Sequence, residues 1–109
     1  MFLAIDAGNS NVVFALFDQK SEKWTNQFRL ETKTPRLISQ LSKKVPLYFL
    51  EHGIHISQIE KIGFSSVVPE VNPIIEQFCQ NFLGQNPYLI SAKSYVKLPI
   101  KSLRPNEIG

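Results

Sequence analysis

A single cysteine, Cys79, stands among the 109 residues, so the chain cannot close an internal disulfide and fits a reducing compartment. Basic residues are present but never massed. Lys and Arg total 12 against 9 Asp and Glu, a net charge of +3, and they stand singly or in pairs such as Lys43-Lys44. Without a run of about five to eight basic residues the pattern argues against a nucleic-acid partner. No apolar stretch approaches the roughly 20 residues of a bilayer span, and the N-terminus lacks the basic lead of a signal peptide. A cytoplasmic protein without a membrane partner is expected. Two phosphate signatures are missing as well: neither G-x-x-x-x-G-K-[ST] nor G-x-G-x-x-G occurs, which excludes a P-loop or a dinucleotide fold by motif. His52 and His55 have no Cys, Asp or Glu at ligand spacing, so they read as solvated histidines rather than a zinc site.

What is there is ordinary for one globular domain, expected to span residues 1–109, with 43% hydrophobic and 19% charged residues. Residues 2–5 form a short apolar run, read as a buried central strand. Residues 12–17 form a second, and residues 24–30 alternate apolar with polar side chains as a third. Thr34-Pro35 predicts a helix start, with a capping hydroxyl and then proline at the first helical position. Leu37, Ile38, Leu41 and Val45 then share one face. Pro46 predicts a kink or break, residues 47–50 continue the helix, and Gly53 stops it. Ser57-Gln58-Ile59-Glu60 has capping-box spacing and predicts one short turn. Residues 62–68 read as a fourth strand closed by Pro69. Val71, Ile74, Ile75, Phe78, Cys79 and Phe82 recur at helical spacing up to Gly84, with Cys79 as a buried core thiol. Residues 88–90 read as a fifth strand, and residues 91–109 as loop. The order is β-β-β-α-β-α-β, an α/β fold with a mixed sheet covered by helices. It resembles the ribonuclease H-like unit that actin-like ATPases use twice.

The chemistry gathers at Asp6-Ala7-Gly8-Asn9-Ser10-Asn11, between the first two apolar runs. An acid at the end of a buried strand is held rigidly and can bind Mg²⁺ directly or through water. Gly8 lets the backbone approach closely and take a positive φ. Asn9 and Asn11 tolerate left-handed conformations, so successive N–H groups can converge on an anion. The Ser10 hydroxyl can donate to a phosphate oxygen. Phosphoryl transfer asks mainly for positioning and charge neutralisation. Yet Asp, Gly, Asn and Ser are also the commonest turn residues for conformational reasons alone. Composition does not separate a phosphate loop from a plain hairpin.

Asp6-Ala7-Gly8-Asn9-Ser10-Asn11 resembles the D-x-G-N-T-N phosphate motif of type III pantothenate kinases. Ser65-Ser66-Val67-Val68-Pro69 is similar to that family's S-S-V-V-P segment. Leu98-Pro99-Ile100 and Pro105-Asn106-Glu107-Ile108-Gly109 are similar to its L-P-I and N-P-x-E-V-G segments. The resemblance implies ATP-dependent phosphorylation of pantothenate to 4'-phosphopantothenate, the first step of coenzyme A biosynthesis. It implies that Asp6, Ala7, Gly8, Asn9, Ser10, Asn11, Val12 and Val13 hold the ATP phosphates, with Asp6 near Mg²⁺ and Ser10 supplying the hydroxyl of the usual threonine. It also implies a monovalent cation, K⁺ or NH₄⁺, and a homodimer at full length.

Two departures follow from the same comparison. Where the family commonly has a pantothenate-contacting tyrosine, this chain has Ser102, which with Gly109 marks the expected substrate side. The family's G-A-D-R carries the catalytic aspartate and a substrate-binding arginine, and the chain stops at its glycine, Gly109. The chain is therefore expected to be the N-terminal half of a two-domain kinase, inactive alone, with no catalytic residue of its own. Ser102 favours the alternative, a non-catalytic regulatory protein similar to the Bvg accessory factors. Ser65 and Ser66 read either as cleft-lining or as packing residues. Glu107 reads as a substrate-loop orienter or a solvated carboxylate. Lys93, Lys97, Lys101 and Arg104 read as an attraction for anionic pantothenate or as a solvated loop.

Overall fold

The computed structural model describes residues 1–33 and 35–90. Three strands open the chain: β1 (Phe2–Ala7), β2 (Asn11–Asp18) and β3 (Lys23–Glu31), each antiparallel to the next. β1 also pairs in parallel with β4 (Lys61–Ser66), and β4 pairs in parallel with the short β5 (Tyr88–Leu89). The sheet order is β3-β2-β1-β4-β5, which puts β1 at its centre. Parallel neighbours need a crossover rather than a hairpin. Helix α1 (Leu37–Glu51) supplies the first, and α2 (Asn72–Phe78) with the π-helical segment Cys79–Leu83 supplies the second. The mixed sheet and two helices expected from the sequence are both present.

The continuous apolar runs of β1 and β2 have a direct cause, since both strands are buried on both faces. On one face Leu3, Ile5, Ala7, Val12, Phe14, Leu16, Ile62 and Phe64 join α1 and α2 in the main core. On the other, Ala4, Ala15 and Ile90 pack with Phe2 and Trp24. Gly63 belongs to this second face, where a Cβ would stand 2.7 Å from both Phe2 and Ile90. β3, at the sheet edge, alternates because it is buried on one side only. Burying one Leu, Ile or Phe side chain contributes about 1.5–3 kcal/mol, so the main face supplies most of the stability.

The helices differ from expectation in instructive ways. Helix α1 starts at Leu37 after Arg36, with no side-chain cap. Pro35 therefore precedes the helix instead of opening it, and Thr34 lies outside the described residues. Leu37, Leu41, Val45 and Phe49 are buried at strict four-residue spacing. Ile38, expected on that face, is 63% exposed, because it falls one residue round the helix from the Leu37 row. The helix is not broken at Pro46 and runs on to Glu51. The hydrogen bond Pro46 cannot make is one loss within a well-packed element. Gly53 does stop the helix, at φ 66°. Its N–H donates to the Leu50 carbonyl (3.3 Å) and that of Ile54 to the Phe49 carbonyl (2.8 Å), which satisfies the last turn in a Schellman arrangement. The short turn after it spans Ile56–Gln58, two residues short of its expected end. In the second helix the π-helical turn inserts one extra residue. Leu83 is thereby buried, while Phe82 is only half-buried and lies against Phe78 and Phe49.

Candidate functional site

The β1–β2 hairpin brings residues 6–13 together at one end of the central strands. Asp6 is the last-but-one residue of β1 and only 9% exposed. Its register partners are Val13 on β2 and Ser65 on β4, and Val13 in turn pairs with Arg29 on β3. Because register partners share a face, Ser65, Asp6, Val13 and Arg29 form one row across four strands. That row sets a carboxylate, a hydroxyl and a guanidinium on the face opposite the main core. Ala7 and Val12 point the other way into the core, so only their backbone groups are available. The Ala7 carbonyl already accepts the Val67 N–H at 3.0 Å.

The tip turns without the left-handed residues expected of it. Among the described residues, positive φ occurs only at Glu22, Gly53 and Gly84, so Gly8, Asn9 and Asn11 all take ordinary backbone conformations. A two-residue connection of ordinary handedness splays its arms relative to the primed turns. Here the Gly8 N–H donates to the Asn11 carbonyl at 2.8 Å. The other tip contacts come from Thr32, just past β3. Its Oγ1 donates to the Gly8 carbonyl at 2.8 Å and its N–H to the Ser10 carbonyl at 3.0 Å. Asn9 and Ser10 are exposed, and their N–H groups have no hydrogen-bond partner among the described residues. Two of the tip's carbonyls are thus tied inward while the Asn9 and Ser10 donors are spare, a polarity suited to an anion.

Gly8 fits the same picture for a reason other than φ. A Cβ placed on it would meet only the Asn11 carbonyl, at an ordinary 3.4 Å. The space beside it is open, and any group of a ligand that sits there gains close access to the backbone. Thr32 had no signal in the sequence, where Arg29-Leu30-Glu31-Thr32 reads simply as the end of an edge strand. Its 3% exposure between exposed Glu31 and Lys33 is visible only in the structure.

The remaining candidates sort themselves by their contacts. Ser66 is spent on a local turn: its Oγ accepts from the Val68 N–H (3.0 Å) and donates to the Val68 carbonyl (3.1 Å). Ser65, in register with Asp6, is the one of the pair that shares the site's row. The Cys79 thiol is fully buried, and burial, with Glu76 nearby as the lesser cause, pushes its pKa up to about 12. It stays a protonated core group. His52 and His55 are exposed, though His52 also stacks on Tyr48 with ring centroids 3.9 Å apart. No group of three or more His, Cys, Asp or Glu side chains able to hold a metal occurs among the described residues. Ser102 and Gly109 lie outside the described residues, as do the Leu98-Pro99-Ile100 segment, Glu107, Lys93, Lys97, Lys101 and Arg104. No helix among the described residues is long and apolar enough to cross a membrane.

Comparison with known proteins adds an independent line. The family model described as type III pantothenate kinase matches residues 2–109. Proteins named type III pantothenate kinase from Desulforapulum autotrophicum, Geotalea uraniireducens and Exiguobacterium sibiricum are 32%, 31% and 29% identical to this chain. Each alignment covers 100% of this chain but only 41%, 42% and 42% of the relative. The chain thus spans about two fifths of the length of the curated relatives it matches.

Proposed function

The chain belongs to the type III pantothenate kinase family, and from that premise we propose that it carries the ATP-phosphate-binding part of a pantothenate kinase. The reaction is in-line transfer of the γ-phosphoryl group of ATP to the primary hydroxyl of pantothenate. The observation that carries this reading is the hairpin tip, with carbonyls of Gly8 and Ser10 engaged, amides of Asn9 and Ser10 unspent, and the buried Asp6 carboxylate behind them.

Residues 6–13 hold the β- and γ-phosphates. The Asn9 and Ser10 amides and the Ser10 hydroxyl donate to phosphate oxygens, and the open space at Gly8 admits an oxygen close to the backbone. A single rigid carboxylate suits Mg²⁺, which takes one or two carboxylates, keeps waters and completes its shell from substrate phosphates. Asp6 would hold that ion directly or through water, and the ion would supply neutralisation of phosphate charge. The described sheet is read as the ribonuclease H-like unit, supported by an antiparallel β1–β2–β3 set with β4 and β5 added in parallel. Residues 1–109 form one domain in this reading. The base that receives the hydroxyl proton, the monovalent-cation site and the dimer contacts belong to the further length that the relatives carry. Ser102 remains the one feature favouring the non-catalytic alternative, and the comparisons lend it no support.

Asp6→Asn in the full-length protein tests the assignment. Metal-phosphate clamps supply several kcal/mol of transition-state stabilisation, so turnover should fall about a hundredfold or more with the fold intact. A variant with near-normal turnover would sink the assignment.

A further inference from the structure

The residue that shapes the tip is not in it. Thr32 is 3% exposed although Glu31 and Lys33 beside it are exposed. A buried hydroxyl needs a partner, and Oγ1 finds the Gly8 carbonyl at 2.8 Å while the Thr32 N–H finds the Ser10 carbonyl at 3.0 Å. A peptide unit is planar and trans, and no cis bond occurs among the described residues. The C=O of one residue and the N–H of the next therefore point in opposite directions. Tying the Gly8 carbonyl to Thr32 aims the Asn9 N–H away from Thr32, and tying the Ser10 carbonyl does the same for the Asn11 N–H. Threonine is suited to this task because its branched Cβ restricts χ1 and so fixes the direction of the hydroxyl.

We propose that Thr32 is a positioning residue for the phosphate site, orienting the Asn9 amide by holding the Gly8 carbonyl that precedes it and fixing the turn through the Ser10 carbonyl. This rests on the reading of the tip as a phosphate site. Thr32 touches no phosphate itself and acts through the turn. Its loss should weaken binding of phosphorylated nucleotide and leave the pantothenate side alone.

The test compares wild type, Thr32→Val and Thr32→Ser in the full-length protein. Valine keeps the shape and the branched Cβ but loses the donor, whereas serine keeps the donor. In Thr32→Val, hydrogen exchange should quicken at the two amides bonded across the tip, those of Gly8 and of position 32, and KM for Mg·ATP should rise about five- to tenfold, the scale of one hydrogen bond. KM for pantothenate should not change, and Thr32→Ser should restore both ATP affinity and slow exchange. Unchanged exchange at Gly8 and position 32 in a folded Thr32→Val overturns the proposal, and so does an equal loss in both variants. Should the exchange quicken while KM for Mg·ATP stays put, Thr32 shapes the tip but the tip is not the phosphate site, and the underlying reading fails instead.

Discussion

At Gly8 the structure separates two reasons for having a glycine. Its φ is not positive, and a Cβ there would make only an ordinary contact with the Asn11 carbonyl. The fold itself can therefore accept alanine, and the reduced freedom of the unfolded chain should even stabilise the Gly8→Ala variant by about 0.4–1 kcal/mol. If the open space at Gly8 receives a phosphate oxygen, the same methyl group obstructs it. Gly8→Ala should keep or raise its unfolding midpoint in urea while its affinity for Mg·ATP falls at least about tenfold, the cost of roughly one displaced contact. A variant as stable as wild type that binds ATP equally well would leave the glycine without a role at the site. Of the two reasons the sequence offered for this glycine, the structure removes the left-handed one. Glycine marks both left-handed turns and close approaches, and composition cannot tell one from the other.

Among the elements, those with a single clear period were legible and those set by tertiary contacts were not. β1 and β2 stand out because double burial leaves no polar alternation, and the Leu37–Leu41–Val45–Phe49 row is a plain four-residue repeat. Ile38 has the same chemistry as these residues, but its place beside the row, not its hydropathy, decides its 63% exposure. Leu41→Ala should accordingly destabilise by about 2–5 kcal/mol, the range for buried leucines, whereas Ile38→Ala should change stability by less than about 0.5 kcal/mol. Urea unfolding of both variants checks the contrast, and equal losses would mean that the buried face of α1 is misassigned. The shift of burial from Phe82 to Leu83 had no sequence signal, since a π-helical turn depends on how the helix end packs. Thr32 was hidden for a similar reason: its partners, Gly8 and Ser10, lie more than twenty residues away along the chain.

For the molecule as a whole, the proposed phosphate end of the site was readable in outline because its residues are contiguous, from Asp6 to Val13. The row through Ser65 and Arg29 was not, because sheet register alone brings those strands to Asp6. Family membership closes part of that gap, matching the chain from residue 2 to residue 109. The charge balance of +3 adds little, and the proposal of ATP binding rests on the local polarity of one hairpin tip. The most direct measurement is therefore at that tip: a titration of isotope-labelled full-length protein with Mg·ATP, following the backbone amides of Gly8, Asn9, Ser10 and Asn11. The account predicts that these amides shift most in wild type and that the shifts are largely lost in Asp6→Asn. Saturation with Mg·ATP that leaves all four amides unmoved would contradict it.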